Sequence, residues 1–282
     1  VRREGELFLF DCGEGTQVSL KMLNLKWKKI SAIFISHMHA DHVTGLPGIL
    51  MLSSQVDRTE PLYIYGPARL VEFVDAARRI LDMYINYEIK VIPVEPGEIY
   101  RGEDFSINAF QLNHTTPCFG YSLVEDMRKG EFHPDKAIEL GVPKGRLWGQ
   151  LQQGNNVTLE DGRVITPDMI MGDARSGRKF SYVTDSLYFP EIADYVHDSD
   201  ILFCEGMFEK ALEEDARDKK HMTAEQAAMI ARDSHSDKLC LQHYSPRYSD
   251  RELKILRDEA RAIFENTILT RDRMSFDIPL KD

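Results

Sequence analysis

Cysteine is scarce in this chain: only Cys12, Cys118, Cys204 and Cys240 occur among 282 residues. They are scattered through apolar stretches without paired spacing, which excludes a disulfide framework and a Cys-x-x-Cys metal site and fits reduced, buried thiols. Long hydrophobic runs are missing too. No stretch approaches the roughly eighteen uninterrupted apolar residues of a membrane span, and the start carries no basic-then-apolar leader. These absences predict a soluble, cytoplasmic protein that makes no use of a membrane. Positive charge is also short: the formal net charge of -11 argues against an indiscriminate nucleic-acid binder, which normally carries a basic face. There is no internal repeat of fixed period. The 43% hydrophobic content is that of a globular chain able to bury one large core or two smaller ones.

One segment departs from the acidic balance. Residues 127 to 179 hold nine Lys/Arg (Arg128, Lys129, Lys136, Lys144, Arg146, Arg163, Arg175, Arg178, Lys179) against seven Asp/Glu, and so form a local basic island. The same segment is rich in Gly, Pro and charge and shows little periodicity, as an insertion would. On either side of it strands alternate with helices, which predicts an α/β sandwich. Strands are expected at Leu7 to Phe10, Ile30 to Ile35, Leu62 to Tyr65, Ile89 to Val94, Ser106 to Leu112, Phe119 to Val124, Phe180 to Thr184, Ile201 to Glu205 and Lys238 to Gln242. Helices are expected at Glu14 to Leu23, Gly45 to Ser53, after Pro67 at a first turn, Ala224 to Asp233 and Asp250 to Phe264.

The chemistry is concentrated after the second of these strands. Ser36-His37-Met38-His39-Ala40-Asp41-His42 packs four metal-ligand side chains into six residues, in the pattern His-x-His-x-Asp-His. Imidazole suits zinc, and an added carboxylate suits a site that holds a hydrolytic water as well as metal. The alternative is a solvated polar turn, but with nine His in the whole chain that spacing rarely arises by chance. It begins where a strand ends, the edge at which open α/β sheets place ligands. His114, Asp185 and His243 each end a later strand. Alone, each is more often a cap or turn residue; together with the first cluster they make seven ligands, too many for one tetrahedral ion and suited to two ions sharing a bridging carboxylate and a bridging water. His221 differs. It precedes the Thr223-x-x-Gln226 capping box, so the free N–H groups of the following helix are expected to face it and favour an anion. His133, His197 and His235 read as surface histidines.

These segments resemble the metallo-β-lactamase fold and, within it, the ribonuclease Z family. The general fold is signalled by Ser36 to His42. The narrower family is signalled by Leu9-Phe10-Asp11-Cys12-Gly13-Glu14-Gly15-Thr16-Gln17, Gly45-Leu46-Pro47-Gly48, His114 with Phe119-Gly120-Tyr121, Cys204-Glu205-Gly206-Met207, His221-Met222-Thr223 and His243-Tyr244-Ser245-Pro246-Arg247-Tyr248. The resemblance spans essentially the whole chain. It implies an αβ/βα sandwich in one domain, 1 to 282, with a protruding arm at 127 to 179. It also implies two zinc ions per subunit, one on His37, His39, His114 and Asp185, the other on Asp41, His42, Asp185 and His243, with Asp11 behind the site as a support. The family's Gly-Thr-Gly loop on an earlier strand is absent, so residues before Val1 are expected to be missing. The arm's Gly-Pro pair reads Gly145-Arg146 here.

The activity so implied is endonucleolytic removal of the 3′ trailer from precursor tRNA, leaving a 3′-hydroxyl on the tRNA and a 5′-phosphate on the trailer. In that scheme Asp41 orients or deprotonates a zinc-bound water and His221, held by Glu205, protonates the leaving oxygen. Lys144, Arg146 and Arg247 are expected to meet the tRNA, and a homodimer would let one arm reach tRNA at a partner's site. Two other readings compete: a metallo-β-lactamase-fold hydrolase of another ester or phosphodiester, and a non-catalytic RNA-binding relative. The basic insertion disfavours the first of these, and the intact ligand set the second.

Overall fold

The computed structural model describes residues 1–56 and 58–281. The chain divides into two compact units: residues 1–124 with 179–278, and residues 125–178 with the segment from Pro279.

In the first unit, short runs rich in Val, Ile and Phe form two sheets. One has the order β1 (Arg2–Arg3), β2 (Glu6–Phe10), β3 (Ile30–Phe34), β4 (Leu62–Gly66), β5 (Ile89–Pro93). A tight turn at Glu4-Gly5, both at positive φ, pairs β1 antiparallel with β2; from β2 onward the pairing is parallel. The second sheet uses β6 (Gly97–Arg101), β7 (Phe105–Leu112) and β8 (Cys118–Glu125), and resumes after the second unit's hairpin, β9 (Val157–Thr158) with β10 (Val164–Ile165). Its remaining strands are β11 (Lys179–Val183), β12 (Ile201–Glu205), β13 (Leu239–Gln242) and β14 (Thr267–Leu269). Its order is β14-β13-β12-β11-β8-β7-β6, parallel from β11 to β14.

Aromatic and branched side chains fill the space between the sheets: Phe8, Ala32, Phe34 and Tyr65 from one, Ile107, Phe119, Tyr121, Phe180 and Tyr182 from the other. Phe34 stacks on Phe10 at 5.2 Å and on Tyr65 at 5.1 Å, and burying one such ring contributes roughly 1.5–3 kcal/mol. The outer face of the first sheet is covered through Leu20, Ile49, Leu50, Leu70 and Val74 by α1 (Thr16–Met22), α3 (Leu46–Ser54) and α4 (Arg69–Ile80), with the single-turn α2 (Ala40–Val43) before α3. Ile192, Ala227, Ala228, Ile230, Ala231, Leu256 and Ala260 cover the second. They belong to α7 (Ile192–Tyr195), α9 (Ala224–Asp233) and α10 (Leu253–Arg261). This is the four-layer αβ/βα sandwich that the sequence implies.

Several boundaries differ from expectation for local reasons. Helix α10 starts at Leu253 rather than Asp250, because Ser249 closes a turn through its amide and hydroxyl to Glu252 Oε2 at 2.8 and 2.6 Å. Pro67 lies ahead of α4, whose cap is Ala68. Strands β6 and β14 and helix α8 (Glu213–Lys219) give no clear periodic signal; α8, sequence EEDARDK, buries only Ala216.

The second unit is more ordered than its composition predicts. Between β8 and β11 the chain forms α5 (Pro134–Glu139), α6 (Arg146–Gln152) and the β9/β10 hairpin. They enclose their own core of Ala137, Val142, Leu151, Val157, Leu159, Ile165 and Ile170, flanked by Phe132 and Trp148.

The loop after β2 and the histidine loop after β3 interlock through backbone. Cys12 N donates to His42 O and Gly45 N to Cys12 O, both at 2.9 Å. A Cβ on Gly13 would stand 2.1 Å from Asp41 O, and one on Gly45 2.0 Å from Gly13 O. Glycine is required here by space rather than by φ. Gly45→Ala is therefore expected to push the two loops apart and destabilise the fold by about 1–3 kcal/mol, as overpacking does. A thermal melt unchanged from wild type would contradict this.

Candidate metal centre

The C-terminal ends of five strands meet along one edge of the sandwich. His37, His39, Asp41 and His42 follow β3, His114 follows β7, Asp185 follows β11, Glu205 closes β12 and His243 follows β13. The sheets are tied together at this edge: Phe119 N donates to Ser36 O at 3.0 Å and the Tyr121 hydroxyl to Ile35 O at 2.7 Å.

Asp185, only 2% exposed, sits at the centre. Its Oδ2 lies 3.6 Å from both His37 Nε2 and His114 Nε2, and its Oδ1 lies 3.4 Å from His42 Nε2 and 3.2 Å from His243 Nε2. Around Oδ2, His39 Nδ1 and His114 Nε2 are 3.3 Å apart. Around Oδ1, His42 Nε2 and His243 Nε2 are 3.2 Å apart, each 3.4 Å from Asp41 Oδ2. Donor atoms on a tetrahedral zinc with bonds of about 2.0–2.1 Å stand about 3.3 Å from one another, so both groups have the spacing of a coordination sphere. His37, His39, His114 and Asp185 form one candidate group and Asp41, His42 and His243 another; Asp185, His221 and His243 also lie within reach of a common ion. His37 Nε2 and His243 Nδ1 are buried with no hydrogen-bond partner among the described residues. An apolar core would not leave such atoms bare, and for His37 Nε2 a cation would supply the missing partner. The residues fit a metal pair.

Charge and burial agree with this. Burial pushes the His37 imidazole down to about 3, which keeps it neutral as a ligand must be. Burial alone would lower His42 as well, but hydrogen bonds to Asp11 and Asp41 outweigh it and hold the metal-free imidazole up at about 11. His243 and His42 hold the Asp41 carboxyl far below the usual carboxylate range. Metal entry at the Asp41 group would therefore displace protons.

Sequence reasoning left three contributors unassigned. The Lys220 carbonyl accepts from His114 Nδ1 at 2.9 Å. Ser36 and Tyr182 both donate to Asp11, which lies behind His42, its Oδ2 2.7 Å from His42 Nδ1. No local pattern marks these three, since each acts through an atom distant in sequence or through its backbone.

His221 stands beside the cluster, its Nε2 4.0 Å from Asp185 Oδ2. Its Nδ1 is 3.0 Å from Oε2 of the fully buried Glu205, whose Oε1 accepts from Ser186 N at 2.5 Å. Burial raises Glu205 well above the ordinary carboxylate range and lowers His221, so burial favours the uncharged form of each. The loop is set by two helix ends, Lys220 at φ 54 closing α8 and the Thr223/Gln226 capping box opening α9. The expected open anion site at that helix start is not there. The amides of Thr223, Ala224 and Gln226 bind Gln226 Oε1, Phe208 O and Thr223 Oγ1, so the helix start positions His221 instead. A cleft of about 640 Å³ lined by Glu14, Ala40, Asp41 and Thr44 opens on the cluster. Arg247, exposed on the loop after His243, stacks its guanidinium 5.0 Å over Phe208. Lys144 and Arg146 belong to the second unit, where Lys144 Nζ lies 5.9 Å over Trp148.

Comparison with known proteins places this architecture. The short form of human tRNase Z superposes with a TM-score of 0.69 at 25% identity, over 99% of this chain and 91% of that one. The metallo-β-lactamase-fold protein YhfI of Bacillus subtilis superposes with a TM-score of 0.64 at 19% identity, over 96% and 87%. A family model described as anti-Pycsar protein Apyc1 matches residues 1–135, which include His37 to His114 but neither Asp185 nor His243. Fold and site thus define a metallo-β-lactamase-fold enzyme, a metal-dependent nuclease. Ribonuclease Z of Treponema denticola is 59% identical over all of this chain and 92% of its own length, and that of Methanosarcina acetivorans 39% identical over 100% and 92%. The chain belongs to the ribonuclease Z family.

Proposed function

We propose that the chain is a zinc-dependent endoribonuclease that removes the 3′ trailer from precursor tRNA, leaving a 3′-hydroxyl on the tRNA and a 5′-phosphate on the trailer. It would work in the cytoplasm as a homodimer. The observation that carries this reading is the convergence of two donor groups on the two oxygens of Asp185, with the Glu205–His221 pair beside them. The names of its relatives, ribonuclease Z and tRNase Z, support the substrate.

His37, His39, His114 and Asp185 would hold one zinc, and Asp41, His42, His243 and Asp185 the other. Bound there, such ions acidify water toward neutral pH and neutralise charge on phosphoryl oxygens. Asp41 is the exposed member of the cluster, on the cleft side, where it orients the attacking water. Its low proton affinity suits an orienting acceptor better than a base. His221 gives a proton to the leaving 3′ oxygen from Nε2 while Glu205 fixes Nδ1. Lys144 and Arg146 on the second unit, and Arg247 near the site, meet phosphates of the tRNA.

The test is cleavage of one precursor tRNA with end mapping, after chelation and after zinc is restored. Cleavage should stop on chelation and return with zinc. His221→Ala should reduce turnover about 10²–10⁴-fold with tRNA affinity nearly unchanged, and Asp41→Ala should reduce turnover and also weaken metal binding. Zinc-loaded protein that hydrolyses a small phosphodiester but leaves the trailer in place would replace this reading with that of another phosphodiesterase. Wild-type turnover in His221→Ala would remove His221 from the mechanism.

A further inference from the structure

We infer that Ser36 and Tyr182, acting through Asp11, are positioning residues for metal affinity, and that the Ser36 hydroxyl couples the two halves of the centre. The inference rests on the metal reading above and concerns residues outside the ligand set.

Asp11 leaves β2 at φ 60, which turns its carboxylate back under the histidine loop. There it collects four donors. Oδ1 accepts from Ser36 N at 2.7 Å; Oδ2 accepts from Ser36 Oγ at 2.8 Å, Tyr182 Oη at 2.8 Å and His42 Nδ1 at 2.7 Å. A carboxylate so surrounded acts as acceptor only, so the neutral form of His42 that a ligand must take keeps its proton on Nδ1 and offers Nε2 toward Asp41, His243 and Asp185.

Ser36 has one hydroxyl proton, and it goes to Asp11. Its oxygen lies 3.0 Å from His37 Nδ1 and can only accept there, so His37 also carries its proton on Nδ1. That leaves Nε2, the buried unpartnered atom, bare toward Asp185 Oδ2 and His114. One buried hydroxyl thereby sets the tautomer of a ligand in each group: His37 directly, His42 through Asp11.

The two groups differ in what else holds them. In the His37 group, His114 Nδ1 donates to the Lys220 carbonyl. In the His42 group, His243 Nδ1 has no partner among the described residues, so orientation there depends on Asp11. Tyr182 reaches Asp11 from β11 in the facing sheet and touches no other member of the centre by hydrogen bond. Its loss should weaken the His42 group alone, whereas loss of the Ser36 hydroxyl should weaken both.

The experiment uses the full chain, stripped of metal and titrated with zinc against a chromophoric chelator, together with thermal melts with and without zinc. Wild type should bind two ions. Tyr182→Phe should bind one ion about 10–100-fold more weakly, the usual effect of losing such outer support, with the other ion unchanged and the metal-free melt close to wild type. Ser36→Ala should weaken both ions. Wild-type affinities in both variants would overturn the inference. So would equal weakening of the same single ion by both, or variants whose only change is a lower metal-free melting temperature, since that is a structural role. Wild type that binds no zinc would fail earlier, removing the metal centre itself and this inference with it.

Discussion

Asp185→Ala is expected to leave a folded protein that retains neither zinc ion and has lost at least about 10³-fold in cleavage rate. The side chain is buried, and its two oxygens face two different groups of nitrogens, so no single ligand elsewhere in the chain can replace it. Its removal leaves His37, His39 and His114 with no carboxylate among them and His42 and His243 with Asp41 alone, which disfavours a dication in both groups. Lewis-acid stabilisation of a phosphoryl transition state is worth several kcal/mol, and each 1.36 kcal/mol is tenfold in rate. The same loss should appear without any substrate. Ligand binding stabilises a folded state by about 4 kcal/mol at a thousandfold excess over Kd, so zinc should raise the melting temperature of wild type and have little effect on the variant. Elemental analysis of the purified variant is the direct check, with Asp185→Asn as the isosteric control. Two ions per chain in either variant would show that Asp185 is not shared between the groups.

Removing the second unit should separate substrate capture from chemistry. The chain leaves β8 at Glu125 and rejoins β11 after Arg178, and these residues are adjacent: Glu125 N donates to Arg178 O at 2.9 Å, and Arg178 Nη2 pairs with Glu125 Oε1 at 2.6 Å. Strands β8 and β11 are antiparallel neighbours, so residues 126–177 can be replaced by a hairpin turn of about two to five residues. The excised segment carries its own core and seven of the nine Lys/Arg of the basic island, Lys144 and Arg146 among them. If its cations contact tRNA phosphates, the shortened protein should show a Michaelis constant for precursor tRNA raised on the order of a hundredfold, and a flatter dependence on salt. Hydrolysis of a small phosphodiester should be unchanged. A shortened protein that processes tRNA as well as the intact chain would show that this unit does not grip the substrate.

Much of the centre could be read from the sequence because its signals are local. His-x-His-x-Asp-His lies within six residues, a strand end can be placed from its apolar run, and the Thr223/Gln226 capping box is a four-residue pattern that folds as written. The positions of His114, Asp185 and His243 follow from the same rule. Their convergence does not. His42 and His243 bring ring nitrogens to 3.2 Å across 201 residues of chain, and Tyr182 meets Asp11 across 171; such meetings depend on strand order and on two sheets packing face to face, which periodicity does not encode. The second unit's core was hidden for another reason, since helices of six and seven residues are too short to show a periodic stripe. The open anion site expected before α9 failed because sequence reports which amides a helix start offers, not which nearby groups claim them. Residue types and their places on strand ends were thus determined by the sequence itself. Which atoms of Asp185 face which histidines, and what holds those histidines in one tautomer, was decided only by the tertiary structure, because hydrogen bonds and coordination spacings are set in space over a few ångströms and not along the chain.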